Sequence, residues 1–367
     1  MIKLQVKYGL LFGLMIFFKS FVAQESKGNF GASATHHFGF ISPHNVLVNE
    51  IIKGHAQITE LSFYQQTDGE KQWQRYFNYP KLGISAVYIN SGNPISLGNI
   101  YGVFPYVDFP LNHWKITWNL KFGYGLGYIE KPFNRKTNYK NLAIGSHLNA
   151  LIFMNSHWNV PVTEKITGSV GISLTHFSNG SLKRPNLGIN IFSVNAGVSY
   201  YFGNQMVRQQ TDEPTDEKRE KKLSHSILGT VGVKEVDPIG GNKYMVYNTS
   251  YNLLKVVSNK SSIGVGVDLS YNTSLEPLVL RIQKEDRGKL SNFNAGISGI
   301  YSMDLGKISL MFQTGGYVYR VYKQDNLVYT KIGTRYRFTD KLFFNLSLKT
   351  HFFVADFIEY GIGYRIK

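Results

Sequence analysis

The chain of 367 residues contains no cysteine, which excludes a disulfide framework and thiol chemistry and leaves the compartment undecided on that ground. Long helical patterns are scarce. Beyond the first residues there is no apolar run approaching the roughly 20 residues that a membrane-spanning helix needs. Metal-ligand spacing is also missing: His36 and His37 are adjacent and fall on opposite faces of a strand, while His147 and His157 are isolated. Neither a metal nor another cofactor is expected. Acidic residues are few, 24 against 40 Lys and Arg, giving a net charge of +16. Such a balance suits phosphate-bearing partners, but the N-terminus directs the chain away from nucleic acid. Lys3 and Lys7 precede an apolar run from Tyr8 to Phe18, and Ala23-Gln24 is a plausible cleavage point, so residues 1–23 read as a signal peptide. An exported chain meets phosphate on the lipopolysaccharide of a Gram-negative surface instead, although most of its Lys and Arg suit solvated loops.

What the sequence has in quantity is aromatic residues, 14%, and glycine, 36 residues, arranged in alternating segments bounded by turn residues. Strands are expected at Asn29–Ile41, Ala56–Thr67, Pro80–Ser91, Gly98–Asn112, Trp114–Ile129, Ser146–Val160, Ile166–Ser178 and Asn190–Phe202. In the clearest, Trp118, Leu120, Phe122, Tyr124, Leu126 and Tyr128 share one face, and Asn119, Lys121, Gly123, Gly125 and Gly127 the other. Long alternation with aromatics on one face and polar or glycine residues on the other is the pattern of a transmembrane β-barrel; strands of soluble sandwiches are shorter, about 5–6 residues. Residues 204–224 then turn charged and almost free of apolar side chains, with Pro214 among Asp, Glu, Lys and Arg, and read as a solvated linker. Alternation resumes at His225–Val236, Lys243–Val257, Ser261–Asn272, Asn292–Asp304, Lys307–Arg320, Leu327–Thr339, Lys341–Phe352 and Ala355–Ile366. The expected fold is therefore all-β, an antiparallel outer-membrane architecture of two tandem eight-stranded barrels, residues 24–203 and 225–367, with one barrel of about 16 strands as the alternative.

Chemistry concentrates at the end of the seventh segment. Ile172 and Leu174 continue in phase through His176 and Ser178, whose α-carbons are then roughly 7 Å apart on one face of a strand, close enough for the imidazole to reach the hydroxyl. After a Gly/Pro/Asn-rich loop, Asn190 opens the next segment in phase with Phe192 and Val194 and can lie beside His176. Polar groups on a lipid-facing surface are costly and usually functional. Thr350-His351-Phe352 echoes Thr175-His176-Phe177, but His351 falls on the polar face and no serine follows two residues later.

The run His176-Phe177-Ser178-Asn179, followed by Pro185-Asn186-Leu187-Gly188-Ile189-Asn190, resembles the lipid A 3-O-deacylase (PagL-type acyloxyacyl hydrolase) family, whose members are eight-stranded outer-membrane barrels. Gly123–Tyr128 and Asn141–Asn149 add support. The resemblance covers the first half of the chain and leaves residues 225–367 without a role. It implies Ser178 as nucleophile, His176 as general base, and Asn179 with the neighbouring backbone at Gly180 as the oxyanion-supporting region. The histidine-orienting position, a glutamate in well-known members, is Asn190 here. The implied activity is a serine esterase removing an ester-linked acyl chain from lipid A, and the implied partners are lipopolysaccharide and outer-membrane lipid; pairing of two copies as a homodimer stays open. The alternative from another class is a non-catalytic barrel that binds lipid or another envelope component. A porin is disfavoured, because side chains fill the interior of a barrel of about eight strands.

Overall fold

The computed structural model describes residues 29–203, 222–351 and 354–366; the expected signal peptide, 1–23, and linker residues 204–221 lie outside them. Wherever the sequence keeps a period of two it forms a strand. In the first half these are β1 (Phe30–Ile41), β2 (Ala56–Gln66), β3 (Lys81–Asn90), β4 (Asn99–Pro110), β5 (Thr117–Ile129), β6 (Leu148–Pro161), β7 (Ile166–Ser178) and β8 (Ile189–Tyr201), with the short helix α1 (Val46–Asn49) between β1 and β2. The second half gives β9 (Leu223–Glu235), β10 (Lys243–Val256), β11 (Ser261–Asn272), β12 (Phe293–Leu305), β13 (Ile308–Arg320), β14 (Val328–Arg337), β15 (Leu342–His351) and β16 (Val354–Arg365).

Each set closes on itself into an eight-stranded antiparallel barrel. β1 pairs with β2 on one side and with β8 on the other, Phe38 standing opposite Val194. In the second barrel β9 pairs with β16, Val231 opposite Tyr360. The single barrel of about 16 strands is thereby excluded, because the edge of β8 is already taken by β1.

The exterior of the first barrel carries the apolar phase: Leu61 is 59% exposed, Ile172 62% and Val194 60%. A closed β-surface of this composition is a lipid-facing one. Aromatic pairs border it at both ends. Trp118 stacks on Trp158 at 6.5 Å and Tyr200 meets Phe202 at 5.5 Å near the chain's entry, and Tyr88 meets Tyr101 at 5.6 Å near the opposite end. The second barrel shows the same exterior, with Val265, Leu269 and Ile297 exposed. Among the described residues, no helix is long and apolar enough to cross a membrane.

The lumen of the first barrel is filled, not open. Glu60 pairs with Lys121, accepts hydrogen bonds from the hydroxyls of Ser62 and Ser85 at 3.0 and 2.7 Å, and lies 3.2 Å from His37 Nε2. Asp108 and His157 form a second pair at 3.6 Å. Towards the opposite end the interior becomes apolar, with Phe153 and Phe177 in one cluster with Val48, Ile51, Leu97 and Ile144 of the loops 42–55, 91–98 and 130–147. The second lumen also carries buried ion pairs, Lys331 lying between Asp268 at 3.0 Å and Glu359 at 3.4 Å, but it opens into a cavity of about 920 Å³ lined by Ser262, Asp304, Arg335 and Arg337.

Two expectations follow. Because a buried charge without its partner is far costlier than the pair is favourable, Lys121→Met lowers the stability of the first barrel by about 3 kcal/mol, and adding Glu60→Gln returns a large part of the loss. Denaturant unfolding in detergent checks it; equal losses in the single and double variants would show that the pair is not what matters. Since β8 closes on β1, a chain ending at Gly203 folds alone in detergent, giving β-sheet circular dichroism and heat-modifiable electrophoretic migration. Aggregation of that chain beside a well-folded full-length protein counts against independence.

Candidate active site

The phase of β7 is set from inside. Phe177 is fully buried in the apolar cluster, and Gly127 on β5 makes the room it occupies: a Cβ there would come within 2.4 Å of the Phe177 ring. With Ser173, Thr175 and Phe177 inward, Ile172, Leu174 and His176 must face outward. On β8, Ile189 and Ile191 are buried and Asn190 and Phe192 take the outward phase. The β7–β8 register sets His176 directly opposite Asn190. Their side chains meet, His176 Nδ1 lying 2.5 Å from Asn190 Oδ1. An amide oxygen only accepts, so Nδ1 carries the hydrogen and Nε2 is left with its lone pair.

Ser178 ends β7 two residues further on in the same phase and is 3% exposed. Its hydroxyl makes no hydrogen bond to His176 among the described residues. The structure thus joins His176 and Asn190 directly, and relates Ser178 to them by strand phase. Gly188 lies over the imidazole with φ +85°, and a Cβ at this position would stand 3.0 Å from His176 Cε1. Both the left-handed backbone and the close approach call for glycine.

Asn179 is braced on two sides. Its side chain donates to Ser146 Oγ at 2.8 Å, and its backbone N–H donates to Asn186 Oδ1 at 2.9 Å. Ser146 in turn donates to Asn149 Oδ1 at 2.9 Å, and the Gly188 N–H donates to the Ala143 carbonyl at 2.9 Å. The 141–149 segment is therefore the support of the motif. Gly180 follows in the left-handed region, φ +57°. Asn186 presents a buried side-chain nitrogen, Nδ2, with no hydrogen-bond partner among the described residues. A buried donor left open on an amide that touches Asn179, the residue after Ser178, is what an oxyanion would use.

Sequence reasoning did not single out two of these groups. Asn186 was visible only as a letter of the Pro-Asn-x-Gly loop; its open donor is a property of the folded loop. His44 follows β1, and its Nδ1 lies 3.4 Å from Asn190 Nδ2. A lone histidine in a loop far away in sequence carries no signal of that neighbour. Among the described residues, no group of three or more His, Asp or Glu could hold a metal ion. His351 lies in the second lumen, 2.8 Å from the Tyr317 hydroxyl and 3.5 Å from Asp356.

Comparison with known proteins follows the same division into halves. Residues 58–199 match the family described as lipid A 3-O-deacylase (PagL), and residues 223–367 match the family described as acyloxyacyl hydrolase, C-terminal domain. The second match extends the resemblance past the first half, to which the sequence motif alone had confined it. A search of curated proteins finds no match. Among solved structures, the siderophore receptor PirA from Pseudomonas aeruginosa is 8% identical with a TM-score of 0.27, covering 89% of this chain and 56% of the receptor. A mutant porin of Rh. blastica is 7% identical with a TM-score of 0.18, covering 92% of this chain and 99% of the porin. Likenesses this low carry no argument about function. The two family matches, falling on two closed barrels with lipid-facing exteriors, do: the chain belongs to the lipid A 3-O-deacylase (PagL) family and is an ester hydrolase of the Gram-negative outer membrane.

Proposed function

We propose that the first barrel, residues 24–203, is a serine esterase that removes an ester-linked acyl chain from lipid A, with Ser178 as nucleophile, His176 as general base and Asn190 as the residue that orients His176. The observation that carries this reading is the hydrogen bond from His176 Nδ1 to Asn190 Oδ1 at 2.5 Å, which frees Nε2 on the face that Ser178 shares. Ser178 follows His176 in the same strand phase, and the hydroxyl–imidazole contact is one that forms with substrate, since apo sites commonly tighten only when substrate is bound.

In the first half-reaction His176 Nε2 takes the hydroxyl proton as Ser178 Oγ attacks the ester carbonyl carbon. Negative charge develops on the carbonyl oxygen, where Asn186 Nδ2 and the backbone at Gly180 supply donors, Asn179 holding the Asn186 amide in place through its own N–H. The tetrahedral intermediate collapses by breaking the bond to the sugar oxygen, which leaves with the proton held by His176. Water then repeats the sequence on the acyl-serine, releasing the fatty acid and restoring the serine. Asn190 keeps the imidazole in one tautomer but adds no negative charge to offset imidazolium, unlike a glutamate. The substrate fits the setting, since His176 continues the outward strand phase of the lipid-facing Ile172. Residues 1–23 are read as the signal that exports the chain and 204–224 as a tether to the second barrel, 225–367.

Turnover of lipopolysaccharide in detergent micelles, read by mass spectrometry of lipid A, tests the assignment. Ser178→Ala and His176→Ala lose deacylation while remaining folded, Asn186→Ala loses on the order of 10²-fold in kcat as an oxyanion donor does, and His351→Ala stays active. Full activity in Ser178→Ala would sink the serine mechanism. For the third member, Asn190→Ala is slower than the wild type, whereas Asn190→Glu is as fast or faster, by no more than about tenfold, the rate equivalent of one pKa unit or about 1.4 kcal/mol. An Asn190→Ala protein at the wild-type rate removes Asn190 from the site.

A further inference from the structure

A serine site whose third member is an amide faces a difficulty that a carboxylate does not. Both oxygens of a carboxylate accept, so either can hold the imidazole N–H. An amide has one accepting end and one donating end. If the Asn190 amide turned by half a revolution, its NH2 would face His176 Nδ1, that nitrogen would have to accept, and the ring hydrogen would move to Nε2. The atom that must receive the serine proton would then already carry one.

His44 stands where it can decide between these orientations. Its Nε2 lies 3.0 Å from the Leu187 carbonyl oxygen, a partner that demands a hydrogen on Nε2. In the neutral ring this leaves Nδ1 as an acceptor, and Nδ1 is 3.4 Å from Asn190 Nδ2. The Ser42 carbonyl, 3.1 Å from the same Nδ1, takes a hydrogen bond from it only when the ring carries both protons. The backbone of Asn190 is fixed from the same side, its carbonyl accepting from the Ser42 N–H at 2.8 Å. His44 is itself held by the loop after β1: Asn45 caps α1, its Oδ1 accepting from the Leu47 N–H at 2.9 Å, and Val48 and Ile51 anchor the loop in the apolar cluster.

We propose that His44 is a positioning residue of this site: as a neutral imidazole it accepts from the Asn190 NH2, fixes the amide with Oδ1 towards His176, and so selects the His176 tautomer able to take the proton of Ser178. Hydrogen bonds are then donated one way through the set, from His176 Nδ1 to Asn190 Oδ1, from Asn190 Nδ2 to His44 Nδ1 and from His44 Nε2 to the Leu187 carbonyl, which leaves His176 Nε2 open for the proton of Ser178. The inference rests on the serine reading given above. It also explains why an asparagine can stand at position 190, since His44 supplies the acceptor that an amide needs and a carboxylate would have no use for.

The test is steady-state kinetics of the full-length protein on lipopolysaccharide in mixed micelles. His44→Ala lowers kcat about tenfold with KM within about twofold, the pattern of a lost transition-state interaction. His44→Asn, which can set an oxygen acceptor where Nδ1 stood, recovers most of that loss. In the Asn190→Glu background His44→Ala changes kcat by less than about twofold, because the carboxylate has no orientation to lose. A wild-type kcat in His44→Ala overturns the inference. So does an equal tenfold loss in the Asn190→Glu background, which would make His44 only a prop of its loop. Ser178→Ala run alongside separates the two levels: if it is inactive while His44→Ala is unimpaired, the serine reading stands and the role of His44 falls; if it is active, both fall.

Discussion

In lipid there is no water to satisfy a strand edge, so every backbone N–H and C=O in the spanning region must find a partner within the protein. β1 meets this demand by pairing with β2 and β8 at once, and β9 by pairing with β10 and β16. Closure then dictates what each side chain can be. Outward positions meet lipid and are apolar; inward positions meet only one another. Glu60, Lys121, His37 and Asp108 can be polar because each lumen is a private compartment in which their partners are built in. The apolar cluster around Phe153 and Phe177 closes that compartment beneath the loops, and Phe177, a member of the cluster, determines that its neighbours His176 and Ser178 turn the other way.

The site proposed above is accordingly built with little charge. His176 touches an amide where family members of the better-known kind have a carboxylate, and the amide is backed by another imidazole. On a surface bordering hydrocarbon an uncompensated carboxylate carries a desolvation cost, and an asparagine avoids it. The exchange gives up the favourable charge on the imidazolium and adds a question of orientation, so chemistry lost at one position reappears as a requirement on the surrounding hydrogen bonds.

Strand positions were legible in the sequence to within a few residues because alternation is the direct imprint of a surface with lipid on one side and a packed lumen on the other. His176 and Asn190 were legible as neighbours for the same reason: phase along two adjacent strands is enough to put them on one face. Closure was not. Whether β8 turns back to β1 or continues to β9 depends on pairing between strands distant in sequence, and the charged stretch 204–224 suggested two barrels without deciding it. Loop contributions were equally hidden. Asn186, Ser146 and His44 act through distances set by how loops fold over a rim, and no periodicity records that. The role of Gly127 was visible as a glycine row but not as the space reserved for Phe177.

The seam at which the first barrel closes lies between β8 and β1, and the last paired residues along it bring Ile41 opposite Ile191, next to Ser42 and Asn190. His44 therefore meets Asn190 only after the first and last strands have zipped together, whereas His176 and Asn190 already face one another across the β7–β8 hairpin. A chain with an open sheet can pair β7 with β8, and so hold His176 against Asn190, but it lacks His44 beside the amide. On the reading proposed above, the complete hydrogen-bonded set around the imidazole is in this way a property of the closed barrel, finished only when the last strand has found the first.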